Sequence, residues 1–452
     1  LAIHETLVAE FPESPQHALD FVRSRTGRGW ALNGKGLLAE AAQETRSGLA
    51  RLERMVKNFP DDPRFRDLLG NETHYLGHRL GQLGRLQEAE QAYRQASEAY
   101  AELASDFPAK PRYKVNCGHA CTHVGNCLAG FGEFQQAEEV YRQGVALLEE
   151  VEANSPVADS STENSGYLLA WAYSALGALL ADTGRLMEGE EVLTKSVAVA
   201  QEVVDEFPHP QYFRTVLGSA CLNLGKMLRI AGRLPEAEEA QRQALSVALK
   251  LVDDLPAQPR QRRFLAGACY RFGLLLTDMG RMPDAADNFR HGQTILEKLV
   301  DEFPELPGDW NSLARLLATC PLPELRDPQR AVELAKKAVE LAPDSEYYWS
   351  TLGKAHCRAG NWESAKAALE KRMQVSSRGT RSDCFFLAMA HWQLGEKNEA
   401  IHWYGQAVEW MESNNLHDIE LHRLRAEAAE LMGVNEERTS EEEEGSFRND
   451  KQ

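Results

Sequence analysis

Between residues 86 and 107 the apolar side chains Leu86, Ala89, Tyr93, Ala96, Tyr100, Leu103 and Phe107 recur at steps of three and four. With 3.6 residues per turn, that spacing draws one stripe along an α-helix. Pro108 follows and stops it. Upstream, Leu68, Leu69, Leu76, Leu80 and Leu83 draw a second stripe. Gly84 lies between the two, where a helix-ending left-handed backbone is least costly for glycine. The pattern predicts two antiparallel helices joined by a tight turn.

The same pattern returns along the chain. Phe-Pro pairs stand at 11, 59, 107, 207 and 303, with Leu255-Pro256 as a variant. The steps from 11 to 59 to 107, and from 207 to 255 to 303, are all 48 residues. Ser155-Pro156 keeps the phase, and the next step is 52, so the polar stretch Asp159–Asn164 reads as an insertion. A second marker runs in register: Gly84-Arg-Leu-Gln-Glu-Ala89, Gly132-Glu-Phe-Gln-Gln-Ala137, Gly184-Arg-Leu-Met-Glu-Gly189, Gly232-Arg-Leu-Pro-Glu-Ala237 and Gly280-Arg-Met-Pro-Asp-Ala285. Pro235 and Pro283 fall at helix starts, where a missing N–H costs little. Near residue 305 the unit shortens, and Ala365 to Ala400 is 35 residues.

Trp349-x-x-Leu352-Gly353 with Ala365, and Cys384-x-x-Leu387-Ala388 with Ala400 and Tyr404, resemble the tetratricopeptide repeat (TPR). The longer units carry the same core, as in Leu76-Gly77 with Ala89 and Tyr93, or Phe272-Gly273 with Ala285 and Phe289. The resemblance implies an all-α, right-handed α-solenoid of antiparallel helix pairs, about eight repeats long. The expected divisions are a tail helix of a truncated repeat at 1–11, six long repeats at 12–304 and three shorter ones at 305–414. A capping helix at 415–432 and a disordered acidic tail at 433–452 complete them. A helix pair cannot bury its apolar face alone, so the opening half-repeat suggests a piece of a longer protein.

Charge narrows the partners. With 50 Lys and Arg against 68 Asp and Glu, the net charge is −18, which argues against binding nucleic acid through its phosphates. No membrane insertion is expected: Asn164–Ala181 lacks a formal charge but holds Asn, Ser and Gly inside a repeat. A cytoplasmic location is the expectation.

Two motifs imitate chemistry. Gly29-Trp-Ala-Leu-Asn-Gly34-Lys35 fits the spacing of a phosphate-binding loop, yet Gly36 stands where Ser or Thr should meet magnesium. Repeat phasing makes Gly36 a turn equivalent to Gly84. Cys117, His119, Cys121, His123 and Cys127 suggest a metal cluster, but 117 and 121 share one helix face while 119 and 123 share another. A tetrahedral site would need ligands from elsewhere. Cys121, Cys221, Cys269 and Cys384 occupy one repeat column, as buried small hydrophobes do. No metal, cofactor or catalytic set is expected; G-x-S-x-G, H-E-x-x-H and the kinase H-R-D and D-F-G motifs are absent.

Function is expected on the concave groove, where the resemblance implies peptide or protein binding by the first helix of each pair. Counted from the Leu-Gly core, its columns hold Asn71, His74, His78, His119, Thr122, Asn126, Lys226, Arg229, Tyr270, Lys354 and Arg358. The four cations are suited to acidic groups, and the Asn residues to a peptide backbone. Asp383–Met411, with the long units and their Phe-Pro markers, resembles the repeat region that follows the kinase domain in planctomycete-type bacterial Ser/Thr protein kinases. That resemblance implies a non-catalytic recruiting arm for substrates or regulators; a stand-alone adaptor is the alternative.

Overall fold

The computed structural model describes residues 2–11, 13–34, 36–154, 165–207, 211–375, 382–414 and 419–434. Lys35, the Ser155-Pro156 pair, the expected insertion Asp159–Asn164 and the acidic run Glu441–Glu444 lie outside them. Among the described residues every regular element is helical. Helix α1 (Ala2–Glu10) precedes six long pairs: α2 (Pro15–Gly34) with α3 (Leu38–Asn58), α4 (Pro63–Gln82) with α5 (Leu86–Asp106), α6 (Pro111–Gly130) with α7 (Phe134–Asn154), α8 (Ser165–Asp182) with α9 (Leu186–Glu206), α10 (Gln211–Ile230) with α11 (Leu234–Asp254), and α12 (Pro259–Asp278) with α13 (Met282–Glu302). Three shorter pairs follow: α14 (Pro307–Thr319) with α15 (Pro328–Leu341), α16 (Glu346–Arg358) with α17 (Trp362–Val375), and α18 (Ser382–Gln393) with α19 (Lys397–Ser413). Helix α20 (Ile419–Met432) closes the array. Among the described residues the solenoid thus has nine complete pairs, six long and three short, against an overall repeat count of about eight. The pair α14/α15 lacks the glycine turn and is joined through a 3₁₀ turn at Pro323–Leu325.

The two sequence markers have separate structural causes. At Gly84 the backbone takes φ +75°, and the Arg85 N–H then donates to Leu80 O at 2.9 Å. This wraps the helix end on itself and satisfies a carbonyl that the helix leaves open. Gly36, at φ +76°, makes the same turn, and Gly29 and Gly34 lie within α2, so the phosphate-loop spacing is coincidental. The arginine after the turn bridges pairs. Arg185 meets Glu138, Arg233 meets Glu190 and Arg281 meets Glu238, each on the preceding second helix at 2.6–2.7 Å. The Phe-Pro phenylalanine ends the second helix and packs on the aromatic six residues later, Phe59 on Phe65 and Phe107 on Tyr113. Glycine of the Leu-Gly core lets paired helices touch: a Cβ at Gly125 would lie 2.5 Å from the Tyr141 ring.

Several first helices of successive pairs pack on one another, among them α6 on α8, α8 on α10 and α14 on α16, and the first helices together form the inner wall. The wall curves until the second superhelical turn meets the first. A Cβ at Gly36 would meet Glu305 and Leu306, and one at Gly84 would meet Ser345. The Phe134 and Trp410 rings meet at a tilt, with centres 5.6 Å apart. Each contact joins a pair to one six places further along. No helix among the described residues is long and apolar enough to cross a membrane. The uncharged segment near 164–181 is α8, buried over most of its length.

Candidate partner-binding groove

The inner wall carries its side chains at i, i+3, i+4 and i+7 of each first helix, the face left over once the core stripe is buried. On α4 this places Asn71, His74 and His78 in one column. Asn71 donates to Asp67 O at 3.1 Å within its own helix, and His78 is exposed. On α6 the column is His119, His123 and Asn126, and the Asn126 Oδ1 accepts from Tyr141 Oη at 2.7 Å. Thr122, expected in the groove, is fully buried. Its hydroxyl donates to Gly118 O at 2.9 Å, and it faces α7 near Gly144. The close approach of the Gly118 and Gly144 backbones turns 122 into the pair and 123 onto the wall. His123 is therefore the residue that the column count missed. The same rotation splits the Cys/His cluster: Cys117 and Cys121 are buried on one side, His119 and His123 stand on the other. All eight cysteines are buried as free thiols.

The four cations expected to await acidic groups already hold carboxylates of this chain. Lys226 Nζ lies 2.6 Å from Asp182 Oδ1. Arg229 is buried between Asp278, at 3.2 Å, and Glu420 of α20, at 2.7 Å. Lys354 meets Asp383 at 2.9 Å, and Arg358 forms a forked pair with Glu427 of α20. Arg423 of α20 also reaches Asp278. Helix α20 packs its apolar residues Leu424, Ala428 and Met432 into the α18–α19 core. Its charged face spans the wall from α16 to α10 and α12. Burial alone would push the Asp383 carboxyl up, but Lys354 and Arg372 outweigh it and hold it below the ordinary carboxylate range.

Arg271 and Arg315, two further cations of the wall, have no carboxylate within ion-pair distance among the described residues. Arg315 lies over the Tyr270 ring, 5.2 Å from its centre, and Arg271 reaches only the amide oxygen of Asn223, at 3.4 Å. Burial pushes the Arg271 guanidinium down, and Arg315 and Arg229 push it further, while Asp182 and Glu420 oppose them. Both residues line a cleft of about 360 Å³ with Lys226, Arg229, Tyr270 and Glu420. Sequence columns gave Tyr270 but neither arginine.

Residues 217–254 and 384–414 match models of the tetratricopeptide repeat. The chain therefore carries repeats of that class, which supports a protein–protein interaction scaffold. No curated protein matches the sequence. Among solved structures, it is similar to the apo form of RapI at 13% identity, over 75% of this chain and 99% of that one, with a TM-score of 0.46. It is similar to yeast Tom70 at 13% identity, over 92% of this chain and 95% of that one, with a TM-score of 0.28. A thermophilic TPR protein of Thermus thermophilus is 18% identical over 47% of this chain and 98% of its own, with a TM-score of 0.33.

Proposed function

We propose that the inner wall at α10, α12 and α14 binds an acidic, extended segment of a partner protein. The observation that carries this is the cleft around Arg271 and Arg315. Two guanidinium groups, without carboxylates at ion-pair distance among the described residues, line the cleft, one of them over the Tyr270 ring; a third, Arg229, is already bound to an acid from α20. Arginine suits carboxylates because its planar fork gives two parallel hydrogen bonds. Glu420 occupies part of the same cleft, and its contact with Arg229 supports that chemistry. The overall charge of −18 opposes an acidic partner at long range, but that field is screened beyond about 8 Å at physiological salt.

A fluorescein-labelled peptide rich in Glu and Asp, with one aromatic residue, is the direct probe. Anisotropy should show binding that weakens with added salt. Arg271→Glu and Arg315→Glu should each weaken it at least about ten-fold, the effect of losing one charged hydrogen bond. Absence of binding, or binding unchanged in both variants, overturns the proposal.

We further propose that this wall recruits substrates or regulators to a Ser/Thr kinase domain. The likeness of Asp383–Met411 to the repeat region that follows such domains supports this context. Intact mass of the native protein with peptide mapping upstream of Leu1 tests it. Kinase motifs in new peptides support it; a native start within a few dozen residues of Leu1 returns the reading to a stand-alone adaptor.

A further inference from the structure

Away from the acidic-peptide cleft, the wall brings together three imidazoles from two helix pairs. His119 and His123 stand one turn apart on α6, and His74 faces them from α4. One ring nitrogen from each lies within 4.8 Å of the others. The ring centres are 4.6 Å apart for His74 and His119, 5.0 Å for His74 and His123, and 4.9 Å for His119 and His123. None of the three rings has a hydrogen-bond or ion-pair partner among the described residues. Three half-buried imidazoles in mutual contact thus turn their nitrogens toward one shared point.

We propose that His74, His119 and His123 bind one divalent transition-metal ion of the zinc class, linking the second and third helix pairs. Neutral imidazole nitrogen is a borderline donor that suits Zn²⁺, Co²⁺ or Ni²⁺, whereas Ca²⁺ and Mg²⁺ require oxygen. Around Zn²⁺, nitrogens at about 2.0–2.1 Å stand about 3.3 Å from one another in a tetrahedron. Metal binding requires ring rotations that draw the nitrogens inward from their present spacing of up to 4.8 Å. Two histidines four apart on one helix face supply two ligands without any backbone change. The surrounding shell is aromatic: Tyr93 stacks on His123 at 4.3 Å and 4°, and Trp171 stands 5.5 Å from His119 and 4.7 Å from His123. These rings shield the imidazoles from water on those sides. Three protein ligands leave the fourth tetrahedral position to water.

The test uses the full chain without an affinity tag, stripped with EDTA. Titration with Zn²⁺ against a chromophoric chelator should show one equivalent bound, and Co²⁺ should give the visible bands of a tetrahedral site. His119→Gln and His123→Gln should each lose affinity by about a hundred-fold or more, while His402→Gln, an exposed histidine elsewhere, should leave it unchanged. A second measurement needs no variant. Zn²⁺ should protect His74, His119 and His123 of the wild-type chain from diethylpyrocarbonate, read residue by residue by mass spectrometry. No stoichiometric Zn²⁺ binding, or protection that falls on other histidines, overturns the proposal. Loss of metal with peptide binding intact separates this site from the arginine cleft.

Discussion

The contact between superhelical turns can be tested with two glycines of the same motif. Gly84 and Gly232 both open a Gly-Arg-Leu turn, and both have φ +75°. Alanine at either must adopt the left-handed conformation, at about 1–2 kcal/mol. At Gly232 nothing else lies within 4 Å of the added methyl. At Gly84 the methyl would strike the Ser345 side chain and lie 3.2 Å from its Cα, which no rotamer change relieves. Overpacking of that kind adds about 1–3 kcal/mol. Gly232→Ala should therefore cost about 1–2 kcal/mol and Gly84→Ala about 2–5 kcal/mol. Urea unfolding midpoints give the comparison, and small-angle scattering should show expansion for Gly84→Ala alone. Adding Ser345→Gly should return part of the difference. Equal midpoints for the two alanine variants would refute the stacking of one turn on the next.

Three further outcomes follow from the same geometry. Asp383→Ala removes the buried carboxylate shared by Lys354 and Arg372; breaking these buried pairs should cost about 3–5 kcal/mol, read by chemical denaturation. In EDTA, acid should destabilise the fold through His119, whose folded value near 4 lies below the unfolded 6.5. Above 6.5 both states are neutral; below it the unfolded chain takes up a proton that the fold refuses, so stability falls by about 1.4 kcal/mol per pH unit until the folded value is reached. His119→Gln should flatten the stability curve between pH 6.5 and 5 by about that slope, and an unchanged curve would contradict it. Finally, a thiol reagent should find no rapidly reacting cysteine in the native protein and eight after denaturation; a fast native thiol would contradict the packing of that cysteine.

Local features were legible in sequence because they repeat. Gly84 and its equivalents mark turns by a backbone requirement, and Phe-Pro marks helix ends by a steric one. The column of Cys121, Cys221, Cys269 and Cys384 is buried as phasing implied. Groove positions were less legible, since one residue on a helix is a 100° rotation. The choice between Thr122 and His123 is made by how closely α6 and α7 approach, not by spacing. The superhelical contacts were not legible at all. Gly84 and Ser345 are brought together by small rotations accumulated over six pairs. Arg229 and Glu420 are 191 residues apart, so nothing local showed that the groove cations carry carboxylates from their own chain.

If the first helices bind an acidic segment on the inner wall, they should be shielded when it is present. Hydrogen exchange of the full chain, with and without the acidic probe peptide, measures this most directly. Slowed exchange is expected at α10, α12 and α14, the helices that line the arginine cleft. Protection concentrated on the outer second helices α11, α13 and α15 would contradict it.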